Sequence, residues 1–175
     1  MEISSPAPVV HAAPALAGGE IGLTEADFSI QFVPHVELYP QGQGACVAIK
    51  SIEFFIGYKS LKILVLARHK PGSCEYGVVV EHEMQHVEAY RRVLARYGRL
   101  FEEELRIAAL SLSQSAIYSP RGRAADADKA IDELVRGNPR ILALKSRMEA
   151  EIAAENSAID TQEEYRRVRA LCRNW

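Results

Sequence analysis

The sequence of 175 residues lacks any apolar run as long as the roughly 18 residues that a membrane-spanning helix needs. It also lacks a dense basic block, and its formal net charge is −2. Neither an integral membrane span nor a nucleic-acid surface is therefore expected. Hydrophobic residues make up 48% of the chain and charged residues 25%, values that are typical of a soluble globular protein with a sizeable core.

The first 22 residues lack the positively charged start and the long apolar stretch of a signal peptide. They are rich in alanine and proline, which is typical of a linker. We therefore expect a flexible N-terminal segment at 1–22 and a single domain at 23–175. If the protein is exported, its signal segment was removed before this numbering begins.

Cysteines are few, and the three that occur are Cys46, Cys74 and Cys172. A bridge between Cys46 and Cys74 would tie a predicted strand to the start of a predicted helix, and it would indicate an oxidising compartment. Three free thiols in the cytoplasm are the alternative. In the bridged case Cys172 is left free or pairs with another chain.

Alternating apolar residues predict strands in the first 70 positions. The alternation occurs in 28–32, 45–57 and 61–68, and the short segment Gly57–Ser60 predicts a hairpin between the last two. The remainder of the chain has helical periodicity. We therefore expect an α+β fold, with a small antiparallel sheet followed by a mostly helical C-terminal half.

Capping residues predict where several of these helices begin. Ser73 is a candidate N-cap for a helix over about 75–97, and Asn138 followed by proline marks a later start. Asp160 and Glu163 have the spacing of a capping box for the last helix.

The most specific pattern in the chain is the run His82-Glu83-Met84-Gln85-His86, which reads HExxH. Residues four apart on a helix share a face, so both imidazoles can reach one zinc ion. The carboxylate of Glu83 can then act as a base on the water that the metal activates. An apolar stripe turns Glu83 and His86 inward, where a metal ion would compensate for their burial. A structural Glu–His pair on a core helix is the alternative.

A strand hairpin followed directly by an HExxH helix resembles the zincin class of metallopeptidases. More narrowly, residues 45–97 are similar to bacterial families of uncharacterised, predicted secreted zinc-dependent proteases. The resemblance implies that His82 and His86 bind zinc and that Glu83 is the general base. It also implies an edge strand that borders the cleft and pairs with substrate, a place that 61–68 would fill.

The third zinc ligand is harder to assign. A catalytic zinc usually has three protein ligands, and no histidine follows His86, which disfavours the metzincins. The gluzincin pattern implies a downstream glutamate, and Glu104 is nearest the usual separation. On a straight helix Glu104 would lie about 27 Å from His86, so this assignment needs a chain reversal near Gly98. An exposed acidic face is the alternative for this glutamate and its neighbours. The other candidate ligands are His69, Glu102, Glu103, Glu149 and Glu151.

Enzymes of this class also need a hydrogen-bond donor for the oxyanion, and Tyr90 or Tyr76 could supply it. We therefore expect a zinc-dependent peptidase that acts on peptide or protein substrates, in the periplasm or secreted, with the cytoplasm as the alternative. A non-catalytic helical interaction protein with a structural or degenerate metal site is the competing hypothesis. The oligomeric state is left open.

Overall fold

The computed structural model describes residues 2–17, 20–113, 117–119, 124–173 and 175. Strands and helices are both abundant, which confirms the mixed class expected. In chain order the elements are β1 (Glu2–Ser4), β2 (Val9–Ala13), β3 (Gly22–Gln41), β4 (Gly44–Leu66), α1 (Cys74–Ser113), β5 (Ile117–Ser119), α2 (Ala124–Gly137), α3 (Pro139–Ile159) and α4 (Gln162–Ala170). Within the described ranges, no helix has the length and apolarity needed to cross a membrane.

The sheet is organised around β4, which pairs with each of the other four described strands. β2 runs parallel to β4, with Val9 opposite Lys62 and Ala13 opposite Leu66. β5 is antiparallel to the start of β4. The expected antiparallel sheet is therefore not supported, because the N-terminal segment adds a strand in the parallel direction. A parallel pair requires a crossover connection rather than a hairpin.

The predicted hairpin at Gly57–Ser60 is wrong, since β4 continues through it. Gly57 has a φ of 154°, and a Cβ at this position would collide with the carbonyl oxygen of Ser4. A glycine inside a strand often marks such a close backbone approach. The turn lies earlier, at Gly42 and Gln43, where Gly42 has a φ of 62° and connects β3 to β4.

The segment predicted to be a flexible linker contains β1 and β2. Ala13 is buried, and its carbonyl oxygen accepts a hydrogen bond of 2.8 Å from the main-chain nitrogen of Ala67. The alanine- and proline-rich composition was therefore misleading here. Pairing with β4 satisfies backbone groups that composition alone does not take into account.

The N-cap predictions at Ser73 and Asn138 are confirmed. The Ser73 hydroxyl accepts from the main-chain nitrogen of Tyr76 at 3.1 Å, and the Asn138 side chain accepts from that of Arg140 at 2.9 Å. α1 then runs unbroken past Gly98 to Ser113, beyond the end at about 97 that the sequence predicted.

The chain divides into two compact units. Unit 1 comprises Met1–Ile3, Ile30–Ile56 and Arg96–Arg147, and unit 2 comprises Ser4–Ser29, Gly57–Ala95 and Met148–Trp175. The HExxH run belongs to unit 2.

The core of unit 2 joins the second half of β4 to the first half of α1. Leu61, Ile63 and Val65 alternate along one face of the strand, as the sequence predicted, and they are almost completely buried. From α1 they are met by Val79, Val87 and Leu94. Burial of each such side chain contributes about 1.5–3 kcal/mol, so this contact fixes the helix that carries the motif.

A disulfide joins Cys74, at the start of α1, to Cys172, after the end of α4. The predicted Cys46–Cys74 bridge is therefore wrong. Cys46 is free, and its thiol donates to Gln41 at 2.6 Å. After α4, Cys172 lies close to the start of α1. Its Cα is 5.9 Å from the Cα of Cys74, within the range that a disulfide needs. Because the bridge closes a loop with a sequence separation of 98, its contribution to stability is on the order of 2–5 kcal/mol.

Candidate metal centre

Glu83 and His86 lie on the buried face of α1, as the apolar stripe predicted, and His82 is buried with them. The exposed fractions of His82, Glu83 and His86 are 6%, 5% and 6%. Three polar side chains within one helical turn are thus withdrawn from water together, which is costly unless each finds a partner.

A carboxylate from another part of unit 2 completes the group. Asp160 lies between α3 and α4, and one of its oxygens, Oδ1, is 3.3 Å from Nε2 of His82 and also 3.3 Å from Nε2 of His86. His82, His86 and Asp160 each offer one ligand atom, and these atoms lie within 4.8 Å of one another. The three residues therefore form a group that could hold a metal ion.

Two of the three distances between these atoms can be compared with the ligand spacing around a metal ion. With bonds of about 2.0–2.1 Å to nitrogen and oxygen, two ligands of a tetrahedral zinc lie about 3.3–3.4 Å apart. At a similar bond length, neighbouring ligands of an octahedral ion would lie about 2.9–3.0 Å apart. Both nitrogen–oxygen distances match the tetrahedral value.

The other nitrogen of each imidazole also faces an oxygen. Nδ1 of His86 lies 3.0 Å from Oδ1 of Asn156. Nδ1 of His82 lies 3.6 Å from Oε1 of Glu164, and it is buried without a hydrogen bond in the described part of the chain. Such outer partners orient metal-binding histidines in many proteins.

The donor set is chemically suited to a cation. A neutral imidazole has one N–H, yet the rings of His82 and His86 each face an oxygen at both nitrogens. When the N–H of each ring is on Nδ1, both Nε2 lone pairs face Oδ1 of Asp160, an oxygen that also accepts from the Tyr165 hydroxyl. A metal ion bound at this point would satisfy all three, so the donor set fits a metal.

Glu164 is held in its charged form by a neighbouring arginine. Arg167 donates to both of its oxygens, each at 2.7 Å, and these hydrogen bonds lower the pKa of Glu164 to about 2. A negatively charged carboxylate therefore lies behind His82, with its Oε1 3.6 Å from Nδ1 of that ring.

Glu83 does not belong to the ligand group and is held separately. The Thr24 hydroxyl, itself buried, lies 2.8 Å from Oε2 of Glu83 and 3.1 Å from its carbonyl oxygen. Gly22 lies against the same carboxylate, since a Cβ there would come within 2.5 Å of Oε1. Burial raises the pKa of Glu83, and the Thr24 hydrogen bond and the two histidines act in the opposite direction.

A cavity of about 650 Å³ opens onto this group. Its walls include His82, Glu83, His86 and Asp160. The Asp160 side chain is 38% exposed, against 7% and 8% for the two histidines. A site of this kind is buried on the protein side and open on one other side, as catalytic metal sites require.

The structure does not support Glu104 as the third ligand. The helix continues through Gly98, so the chain reversal that this assignment required is absent. Glu104 belongs to unit 1, where its carboxylate lies 3.6 Å from Arg140. The candidate His69 is buried elsewhere in unit 2, where its Nε2 accepts from Arg68 at 3.1 Å.

The proposed oxyanion donor Tyr90 lines the cavity, and its hydroxyl accepts from Asn156 at 3.4 Å. A second tyrosine, Tyr165, also lines the cavity and was not expected from the sequence. The Tyr165 hydroxyl donates to Asp160 at 3.1 Å, and burial, together with the charge of Asp160, raises the pKa of Tyr165 to about 12. Tyr165 is therefore a hydrogen-bond donor at neutral pH.

Asp160 was predicted to cap α4, and that prediction is wrong. The N-cap is Thr161, whose hydroxyl accepts from the main-chain nitrogen of Glu164 at 3.1 Å. Because Thr161 caps the helix, the Asp160 side chain is not needed as a cap and faces the two histidines. The threonine at 161 with Glu164 three residues later is itself a capping-box pattern, and it could have indicated that Asp160 is available for another role.

Fold and site together define a mixed protein of strands and helices with a His–His–Asp group that could hold a metal ion. No family model, no curated protein and no solved structure matches the chain.

Proposed function

We propose that this protein is a zinc-dependent peptidase. The observation that supports the proposal most strongly is the convergence of the His82, His86 and Asp160 donor atoms on one point beside the separately held carboxylate of Glu83. Two imidazoles with one carboxylate are a ligand set that catalytic zinc uses in peptidases. When bound, zinc supplies Lewis acidity that polarises a carbonyl group and acidifies a water molecule.

Proton transfer would be carried out by side chains of the protein. Glu83 takes a proton from the attacking water and passes it to the leaving amine nitrogen as the peptide bond breaks. Its buried position against Gly22 and Thr24 keeps the carboxylate in one place. Tyr90 and Tyr165 line the same cavity. The Tyr90 hydroxyl is the candidate donor to the developing oxyanion, because the Tyr165 hydroxyl already donates to Asp160.

The Cys74–Cys172 disulfide supports a site of action in an oxidising compartment, such as the periplasm or the extracellular space. The cavity is large enough to enclose a few residues of an extended peptide. We therefore propose peptide or protein substrates encountered outside the cytoplasm.

The direct test is metal content together with hydrolysis. Protein purified without a chelator should contain one equivalent of zinc and should cleave fluorescently quenched casein. Removal of the metal by a chelator should stop cleavage, and added zinc should restore it. Absence of bound metal, with no binding of added zinc, would overturn the proposal. Zinc binding without cleavage of casein or of a complex peptide pool would favour the interaction protein with a structural metal site.

Gly22→Ala should lower the rate of hydrolysis by about 10–100-fold without loss of zinc. The added Cβ would meet Glu83 Oε1 at 2.5 Å and Val79 Cγ1 at 2.6 Å, so either the carboxylate or the strand must move. A displacement of about 1 Å at a reacting group costs on the order of 10²-fold. The change in kcat on a fluorogenic peptide, with zinc measured in parallel, tests this expectation.

Gly77→Ala is the matched control, because a Cβ at Gly77 in α1 meets nothing within 4 Å. It should leave hydrolysis unchanged and should stabilise the helix by up to about 1 kcal/mol. Equal activity of the Gly22 and Gly77 variants would show that Gly22 does not constrain the base.

A further inference from the structure

One face of α4 forms part of the wall of the metal-site cavity. Gln162, Tyr165, Arg166 and Arg169 all line it, at positions that share a face of the helix. Tyr165 contacts the ligand Asp160. The two arginines thus open onto the same space as the group that could hold the metal.

In the described part of the chain, neither of these two arginines has a carboxylate partner. Among the described residues, no ion pair includes Arg166 or Arg169, and the Arg166 side chain reaches only the carbonyl oxygen of Gln162, through Nε at 3.3 Å. Their neighbour Arg167 is different, since it is committed to Glu164 behind His82. Two guanidinium groups in this wall therefore keep their capacity to bind an anion.

The acidic residues that line the cavity are Glu20, Glu83 and Asp160. Asp160 belongs to the ligand group, and Glu83 accepts from Thr24. Among the described residues, none of the three forms an ion pair with Arg166 or Arg169. A planar guanidinium matches a carboxylate through two parallel hydrogen bonds, so a carboxylate is the ligand that this wall suits best.

We infer that the substrate is an anionic peptide that presents a carboxylate to Arg166 and Arg169 while its scissile bond lies at the metal centre. The inference rests on the proposed peptidase function and adds the substrate class. The carboxylate is either the C-terminus of the peptide or an aspartate or glutamate side chain near the bond, and both have the same chemistry.

Binding can be measured separately from cleavage. Zinc-loaded Glu83→Gln protein, immobilised, is incubated with a pool of peptides from digested casein, and retained peptides are identified by mass spectrometry. Peptides with several acidic groups should be retained on the order of tenfold more than neutral ones, since an exposed ion pair contributes up to about a factor of five. A second pool with amidated C-termini separates the two sources of the carboxylate. Loss of the preference on amidation assigns it to the C-terminus.

The preference should disappear in Arg166→Gln/Arg169→Gln and persist in Arg99→Gln/Arg147→Gln. The control pair removes the same charge from exposed arginines that do not line the cavity. Arg166→Lys/Arg169→Lys, which keeps the charge, should retain part of the preference for acidic peptides. This variant keeps the inference testable if the glutamine variant does not fold. Retention that is independent of peptide charge, or that is unchanged in the glutamine variant, would overturn the inference. Failure to cleave casein would instead count against the peptidase, because retention is scored without hydrolysis.

Discussion

Glu83→Gln should reduce peptide hydrolysis by about 10²–10⁴-fold and leave one equivalent of zinc bound, because general base catalysis contributes a factor of this size. Glutamine has nearly the same shape, and its carbonyl oxygen can still accept from the Thr24 hydroxyl that now lies 2.8 Å from Oε2. It cannot take a proton from water. Initial rates on a fluorogenic peptide and zinc content of the same sample are the two measurements.

The stability of this variant provides an independent check. Because burial raises the pKa of Glu83, the charged carboxylate is disfavoured where it lies, and a neutral amide should not lower the free energy of unfolding. Glu102→Gln, at an exposed position of α1, removes the same charge and should retain full activity. Loss of zinc from Glu83→Gln along with activity would mean that Glu83 is a ligand or a structural residue rather than the base.

Asp160→Ala should weaken zinc binding by well over the 10–100-fold that the loss of an outer-sphere partner typically costs. The substitution removes the only carboxylate in the described ligand group and leaves two imidazoles. It also removes the acceptor of the Tyr165 hydroxyl. Titration against a competing chelator of known affinity would measure the change.

Glu104→Gln is the matched control, since Glu104 was the ligand that the sequence favoured. In the structure its carboxylate faces Arg140, so zinc affinity should be unchanged. The pair of variants decides between the two assignments. Tight zinc binding by the Asp160 variant together with weak binding by the Glu104 variant would reverse the conclusion drawn from the structure.

The residues of α1 could be placed from the sequence because helical periodicity is a local property. Glu83 and His86 were expected to face the interior, and both are buried, as is His82. The caps at Ser73 and Asn138 followed from hydrogen bonds that span only two or three residues. The alternation of Leu61, Ile63 and Val65 was equally local, since strand period alone determines which side chains share a face.

The strand order could not be predicted in the same way. Gly57 resembled a turn residue because glycine is frequent in turns, but here it makes room for Ser4 of a neighbouring strand. The N-terminal segment resembled a linker because composition contains no information about the partner that β2 finds in β4. Both errors arose where pairing between distant segments overrode a local preference.

By itself, therefore, the sequence determined that two histidines share one face of a helix, that a glutamate beside them turns inward with the second histidine, and that these residues are chemically suited to a metal. Tertiary structure alone decided which carboxylate joins them and which cysteines pair. Asp160 and Cys172 reach α1 from the far end of the chain, through the return of α3 and α4. These contacts depend on how whole helices pack against one another, and they cannot be predicted from the spacing of residues along the sequence.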